Sequence, residues 1–198
     1  MRIIAVLAIL AAAGFAACGG DSMTSPSGSG RLSLMIKDSP YSDAKALLVT
    51  FSEVTAHRDG EGGFTKLPFG DTTATSRTCD LKKLVDRQDL LGVGPLPQGH
   101  YTMVRLIVSS ATLYFENPSD GPACSNAIAP PMGRSANLEI PSGEVKLNRQ
   151  FEVGEGGTLT MLIDFDGDRS VVETGNGRFR MTPVIGVVSV QKNGRRVR

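Results

Sequence analysis

Residues 96–106 read LPQGHYTMVRL, a turn containing proline and glycine that runs into a strand-like segment. Pro97 fixes φ, Gly99 permits the turn, and Tyr101 brings a ring whose hydroxyl needs a partner when it is buried. Leu96, Gly99 and Tyr101 at this spacing are typical of the tyrosine corner of Greek-key sandwiches, where the hydroxyl bonds to backbone a few residues upstream. The stretch therefore predicts a strand that begins at a crossing between two β-sheets.

Outward from this corner, hydrophobic and polar residues alternate with period two, which is the pattern of half-buried strands. The clearest run covers residues 159–165. Two longer runs change phase midway, at Ser52-Glu53 and at Ser109-Ser110. Such a change would turn the apolar side chains to the wrong face, so we predict a β-bulge at each point. The glycines among residues 60–63 predict a hairpin turn after the first of these runs.

The remaining segments leave some alternatives open. Residues 80–91 fit a short helix, or equally a strand followed by a turn. Residues 179–190 are predicted as one long final strand, with Pro183 at an edge or a bulge. Taken together, the pattern predicts an all-β fold over residues 31–190, a Greek-key β-sandwich of roughly eight or nine strands. We expect it to be immunoglobulin-like or transthyretin-like.

The first 17 residues have the features of a secretory signal. One arginine precedes an unbroken apolar run over residues 3–13, and small residues then lead to Cys18. The run into Cys18 resembles the lipobox of bacterial lipoproteins, which implies cleavage before this cysteine and a diacylglycerol on its thiol. Because Gly19 follows, the resemblance favours the outer membrane. A plain secretory signal cut near Ala17 and a retained membrane helix are the alternatives, although 15 helical residues span only about 22 Å of a hydrocarbon core of about 30 Å.

Composition divides the rest of the chain and limits its partners. Residues 18–30 are rich in glycine and serine and predict a flexible, lipid-anchored linker. The formal net charge is +1 with no basic stripe, which argues against nucleic acid as a partner. Residues 191–198 form a basic C-terminal tail, read as a solvated end or as a contact with anionic lipid or polysaccharide phosphates.

Two of the three cysteines remain once Cys18 is lipidated. Outside the cytoplasm an even remainder is most simply a disulfide, here between Cys79 and Cys124. Two buried free thiols are the alternative, and no CxxC string supports a reactive thiol. Residues 117–136 are rich in proline, serine and glycine and include Cys124, so they are our candidate for a partner-binding loop, with a passive insertion as the alternative.

One acidic string could carry chemistry. Asp164, Asp166 and Asp168 are weak candidates for a Ca²⁺ site, because this ion prefers six or more oxygen ligands. The EF-hand spacing is absent, and the preferred interpretation is a strand end with capped or Arg169-paired carboxylates. We therefore expect no metal and no cofactor. His57 and His100 have no local metal-ligand partner, and no catalytic motif occurs, so we expect a protein that is not an enzyme.

The domain resembles the bacterial family catalogued as domain of unknown function 4382. The resemblance runs in order through strings at residues 37–40 (KDSP), 44–54 (AKALLVTFSEV), 96–106 (LPQGHYTMVRL), 140–143 (IPSG), 164–177 (DFDGDRSVVETGNG) and 181–185 (MTPVI). It implies a β-sandwich and an envelope location, and it brings no established activity, catalytic residue or cofactor.

These observations lead to one expectation about function and two alternatives. We expect a lipid-anchored, non-enzymatic module that sits in the cell envelope and binds glycan or an envelope protein. The first alternative is a purely structural envelope module. The second is a hydrolase whose carboxylates are brought together by the fold.

Overall fold

The computed structural model describes residues 28–39, 41–70 and 73–197. Cys18, the predicted signal segment and most of the predicted linker lie outside these residues. Within the described ranges, no helix is long and apolar enough to cross a membrane.

The described residues form fourteen β-strands, one 3-10 helix (Leu81–Leu84) and one four-residue helix, α1 (Gly167–Ser170). The strands are β1 (Ser29–Ser39), β2 (Ala46–Arg58), β3 (Phe64–Lys66), β4 (Arg77–Asp80), β5 (Asp89–Pro97), β6 (Gly99–Tyr114), β7 (Cys124–Ser125), β8 (Ser135–Glu139), β9 (Glu144–Val153), β10 (Thr158–Asp166), β11 (Val171–Gly175), β12 (Arg178–Met181), β13 (Ile185–Lys192) and β14 (Arg195–Val197).

The strands form two mixed sheets that pack against each other, so the prediction of an all-β sandwich is confirmed. The smaller sheet has the order β14-β13-β10-β1-β5, and the larger follows the order β11-β12-β8-β6-β2-β4-β7, with β3 added to β2 and β9 to β6. Two pairings are parallel, β1 with β10 and β8 with β12. The expected number of strands, eight or nine, was too low, because several connecting segments form strands of two to five residues.

The predicted corner joins the two sheets. β5 ends at Pro97 in the smaller sheet and β6 begins at Gly99 in the larger one. The hydroxyl of Tyr101 donates a hydrogen bond of 2.9 Å to the carbonyl of Pro97. The tyrosine ring is fully buried and stacks on Phe151 with the ring centroids 5.2 Å apart. Leu96 is also fully buried, so the corner is part of the core.

The two predicted bulges face each other in the pairing of β2 with β6. The register skips Ser109 between the pairs Thr50–Ser110 and Phe51–Val108, and it skips Ser52 before Glu53 pairs with Ile107. Buried side chains change phase at the same point, so both halves of each strand keep their apolar side chains in the core. The two phase changes in the sequence are thus one structural feature.

Three segments differ from the sequence-based expectation. Residues 179–190 are two strands, β12 and β13, which lie in different sheets because the chain crosses between them at Pro183. Residues 191–197 are no separate tail, since they complete β13 and return as β14. Residues 80–91 were predicted as a short helix or as a strand followed by a turn; they contain a 3-10 helix of four residues and the start of β5.

The sandwich has two distinct ends. The end at which the described chain begins, which we call the entry end, holds the start of β1, the start of β10 and the turn between β13 and β14. There the amide of Gly156 donates to the carbonyl of Ser29, and the amide of Asn193 donates to the carbonyl of Thr158. The opposite end, which we call the far end, holds residues 41–45, the chain between β6 and β8, and α1.

Gly143 provides a test of the bulge, because it lies directly against it. The amide of Val108 donates to the carbonyl of Gly143, and a Cβ at residue 143 would lie 2.0 Å from the carbonyl oxygen of Val108. We expect Gly143→Ala to lower the free energy of unfolding by about 1–3 kcal/mol, because backbone must move to admit the methyl group. Urea denaturation would measure the loss.

Gly62→Ala is the matched control, since a Cβ at residue 62 meets nothing within 4 Å. The control should leave the midpoint nearly unchanged. Equal midpoints for the two variants would contradict the close packing of residues 143 and 108.

Candidate functional site

A groove of about 630 Å³ opens at the far end of the sandwich. Its floor is the end of the larger sheet, and its opposite wall comes from the chain between β1 and β2 and from α1. The residues that line it are Tyr41, Asp43, Phe115, Arg134, Ser135, Ala136, Asp168, Val171, Val172, Glu173, Gly177 and Phe179. Five separate segments therefore meet in one place. None of the sequence motifs predicted this meeting.

The floor of the groove is aromatic. Phe179 lies on β12, directly opposite Glu173 of the neighbouring strand β11. The rings of Phe179 and Phe115 are 5.6 Å apart between centroids. The guanidinium of Arg134 lies over the other part of this floor, 4.3 Å from the centroid of Phe115. This floor already holds one cation over an aromatic face, an arrangement that is stabilising by about 0.5–1 kcal/mol at exposed sites.

Three of the lining residues are acids with exposed side chains, Asp43, Asp168 and Glu173, and we call their carboxylates the rim carboxylates. Burial raises the pKa of Tyr41, and the rim carboxylates raise it further by their negative charge. All three are thus close enough to the tyrosine ring to act on it. Among the described residues none of the three has an ion-pair partner, and the lining contains one cation, Arg134.

The backbone at Tyr41, in the wall of the groove, is held in place by the 3-10 helix. The ammonium group of Lys82, on the 3-10 helix, donates to the backbone carbonyl of Tyr41. The 3-10 helix is capped at its N-terminus by Asp80, whose carboxylate accepts a hydrogen bond from the amide of Lys82. The position of Tyr41 is therefore fixed through the chain that follows β4.

Asp80 and the disulfide hold the long loop to the same region. Cys79 and Cys124 form the predicted disulfide, which is thereby confirmed, and the two residues are paired in register between β4 and β7. The fully buried Asp80 accepts hydrogen bonds from the amide of Leu47 and from the hydroxyl of Ser119. In the chain-entropy model a cross-link over 45 residues stabilises the fold by about 4 kcal/mol. The loop at 117–136 is consequently attached to the core near its start and middle, and its last residues line the groove.

Asp38 is a buried acid beneath α1 that the sequence analysis did not single out. It is 2 % exposed, one carboxyl oxygen accepts a hydrogen bond of 3.1 Å from the amide of Gly167, and the other has no partner in the described structure. Burial raises the pKa of Asp38 to about 8, with a smaller contribution from the charge of Asp164. The carboxyl is therefore mainly neutral at pH 7. Every second residue of β1 faces the core, and Asp38 follows Leu32, Leu34 and Ile36 in this series. This alternation is the sequence signal that could have identified Asp38 as buried.

The three Ca²⁺ candidates do not come together. Asp164 forms an ion pair of 2.9 Å with Lys37. Asp166 accepts a hydrogen bond from the amide of Arg169 and so caps α1, while Asp168 lines the groove. Among residues 28–39, 41–70 and 73–197, no group of three or more histidine, cysteine or acidic side chains has the geometry to hold a metal ion.

Both histidines lie at the entry end, away from the groove. His57 has a hydrogen bond of 3.1 Å with the hydroxyl of Thr102, and His100 is paired with Glu152. Of the candidate positions in the sequence, Asp168 and the final residues of the 117–136 loop reach the groove. Tyr41, Glu173 and Phe179 were missed because the hairpin of β11 and β12 meets residues 41–43 and 115 only in the folded chain, from positions that are remote in the sequence.

The buried acid leads to a prediction about pH. The pKa of Asp38 is about 8 in the folded chain and 3.8 in an exposed reference, so the folded state binds the extra proton between these values. The contribution of this group to stability is thus complete below pH 4 and is lost as the pH rises to 8, with a slope of at most about 1.4 kcal/mol per pH unit. In Asp38→Asn this contribution to the slope should vanish.

Urea unfolding at pH 4, 6 and 8 would measure the effect as the difference between the variant and the parent, in which the other titrating groups cancel. Ala127→Ser, a substitution of an exposed residue that adds and removes no titratable group, is the control and should show a difference independent of pH. If Asp38→Asn and the parent keep a constant difference from pH 4 to 8, a buried neutral carboxyl at residue 38 is excluded.

Comparison with known proteins gives one family. The family model described as a domain of unknown function (DUF4382) matches residues 29–183, which is most of the chain. The chain therefore belongs to this family, as the sequence strings predicted. No curated protein and no solved structure gives a significant match.

Proposed function

We propose that this member of the DUF4382 family is a lipid-anchored protein of the cell envelope that binds its ligand in the far-end groove and does not transform it. The ligand class expected from the sequence is glycan or protein. The observation that carries the proposal is the groove itself, because it combines an aromatic floor with a few polar groups, the usual composition of a binding site.

The positions of the chain entry and of the groove, at opposite ends of the sandwich, support this arrangement. The lipid is expected on Cys18, and the described chain enters the sandwich at Ser29. A linker of about ten residues rich in glycine and serine would hold the entry end at a root-mean-square distance of about 20 Å from the membrane. The groove lies at the opposite end. An anchor at the entry end thus leaves the groove free to meet partners, and the Gly19 that follows the anchor favours the outer membrane.

A second candidate function is hydrolysis, and one observation favours it. The rim carboxylates come from two segments that are far apart in the sequence, residue 43 and residues 168–173, and they line one groove, which the hydrolase alternative requires. Binding is the better-supported function because Arg134 and the aromatic floor form contact surfaces, while both histidines lie at the other end. Release of product from a bound glycan would favour the second candidate.

The anchor is tested at Cys18. In Cys18→Ser the thiol that would carry the lipid is missing, so the protein should leave the membrane fraction and accumulate as an unprocessed or soluble form. Membrane fractionation followed by mass spectrometry of the N-terminus would measure this. Ser22→Ala, in the same linker, is the control and should stay with the membrane. A Cys18→Ser protein that is processed and still fractionates with membrane would refute the anchor.

The groove is tested by filling it. Ala136 is half-buried in the floor, and Ala136→Trp would occupy the volume that a ligand needs. We expect binding to an array of envelope glycans and peptides to fall at least tenfold in this variant. Gln191→Trp places the same side chain on an exposed position of β13 near the entry end and should leave binding intact. If every ligand of the parent still binds Ala136→Trp with the parent's affinity, the groove is not the binding site.

A further inference from the structure

The edge of the larger sheet lies in the groove. β11 is the terminal strand of that sheet and pairs on one side with β12. Residues 171–173 of β11 line the groove, and Val172 is 59 % exposed. An edge strand presents alternate backbone amide and carbonyl groups on its free side, and such an edge can accept a further strand from another chain. β11 has no proline or lysine that would obstruct such pairing.

The side chains beside this edge select for positive charge. Glu173 lies on β11 itself, and Asp168 precedes the strand on α1, while Asp43 faces them from the opposite wall. The described residues provide no ion-pair partner for any of the three, and Arg134 is the one cation in the lining. The groove therefore carries a local excess of negative charge in a chain whose formal net charge is +1. Charge complementarity of this kind selects partners and orients them.

The aromatic floor fits the same ligand. Phe179 of β12 is paired with Glu173 of the edge strand β11, so a cationic side chain that lies over the ring also lies next to a carboxylate. Arg134 over Phe115, at 4.3 Å from the ring centroid, shows that this floor accommodates a guanidinium. Lysine or arginine alternating with apolar residues would place every second side chain towards the groove.

We propose that the groove binds an extended, positively charged polypeptide segment, which joins the larger sheet as a strand beside β11 and directs its lysine or arginine side chains to the rim carboxylates. This inference rests on the proposed function, because it names the ligand class of the same groove. Backbone pairing with β11 supplies the general affinity, and the rim carboxylates supply the preference for positive charge.

The test uses the full-length protein in detergent micelles and three synthetic ten-residue peptides with a fluorescent label. The first alternates lysine and valine, the second alternates glutamate and valine, and the third is the first with proline in place of valine. Fluorescence anisotropy at 50 mM and 300 mM salt would measure the affinities. We expect the lysine peptide to bind at least tenfold more tightly than either of the others, and to weaken at the higher salt concentration.

The variant that addresses the rim is Asp43→Asn/Asp168→Asn/Glu173→Gln. This variant should lower the affinity for the lysine peptide about tenfold or more, because each exposed charge that is removed should lower it about two- to fivefold. Glu155→Gln, in an exposed turn at the entry end, is the control and should have no effect. A circular dichroism spectrum and melting point equal to the parent's would show that the triple variant is folded.

The possible results separate this inference from the proposed function. Equal binding of the lysine and glutamate peptides, no binding of any peptide, or an unchanged affinity in the triple variant would overturn the inference. If the array then identifies a neutral glycan whose binding is lost in Ala136→Trp, the proposed function stands while the peptide is excluded. If Ala136→Trp binds every ligand as the parent does, both fail.

Discussion

The pairing of β2 with β6 is the constraint on which the rest of the structure depends. These are the two longest strands, and each must change the phase of its inward-facing residues partway along. Because one strand cannot insert a residue without shifting the register of its neighbour, the two bulges occur opposite each other, at Ser52 and Ser109. β2 and β6 therefore remain paired on both sides of the bulges. β3, β4, β8 and β9 add to different parts of these two strands, so their positions depend on the bulges.

The two ends of the sandwich are stabilised in different ways. At the entry end the connection between the sheets is short, and Tyr101 holds it with one hydrogen bond and a buried ring. The far end holds the long connection between β6 and β8, and tertiary cross-links stabilise this end: the disulfide, the buried carboxylate of Asp80, and the buried carboxyl of Asp38 beneath α1. Long connections that are attached to a rigid body can present side chains at defined positions, which is what a binding site requires. The groove is accordingly at the end that holds this long connection.

Much of the fold could be predicted from sequence because its signals are local. The alternation of apolar residues, the turn at residues 96–99 and the phase changes each depend on neighbouring residues, and each corresponds to a feature of the structure. The division of residues 179–190 between two sheets was not predictable in this way, because both halves are apolar and only their partners differ. The groove was also not predictable, because its residues come from segments that are far apart in the sequence. Glu173 and Phe179 meet across an antiparallel pair, but Asp43 reaches them from more than a hundred residues away, and no local pattern indicates that meeting.

The acids of the far end differ in what they contribute to the charge of the groove. Asp38 is buried, its pKa is about 8, and at neutral pH it is mainly an uncharged hydrogen-bonding group that supports α1. Asp164 is neutralised by Lys37, and Asp166 by its role at the start of α1 and its proximity to Arg169. The negative field at the groove therefore comes from the rim carboxylates, which are exposed to solvent and have no ion-pair partner among the described residues. Because charges at such positions act through water, they contribute more to the choice of ligand than to the stability of the fold.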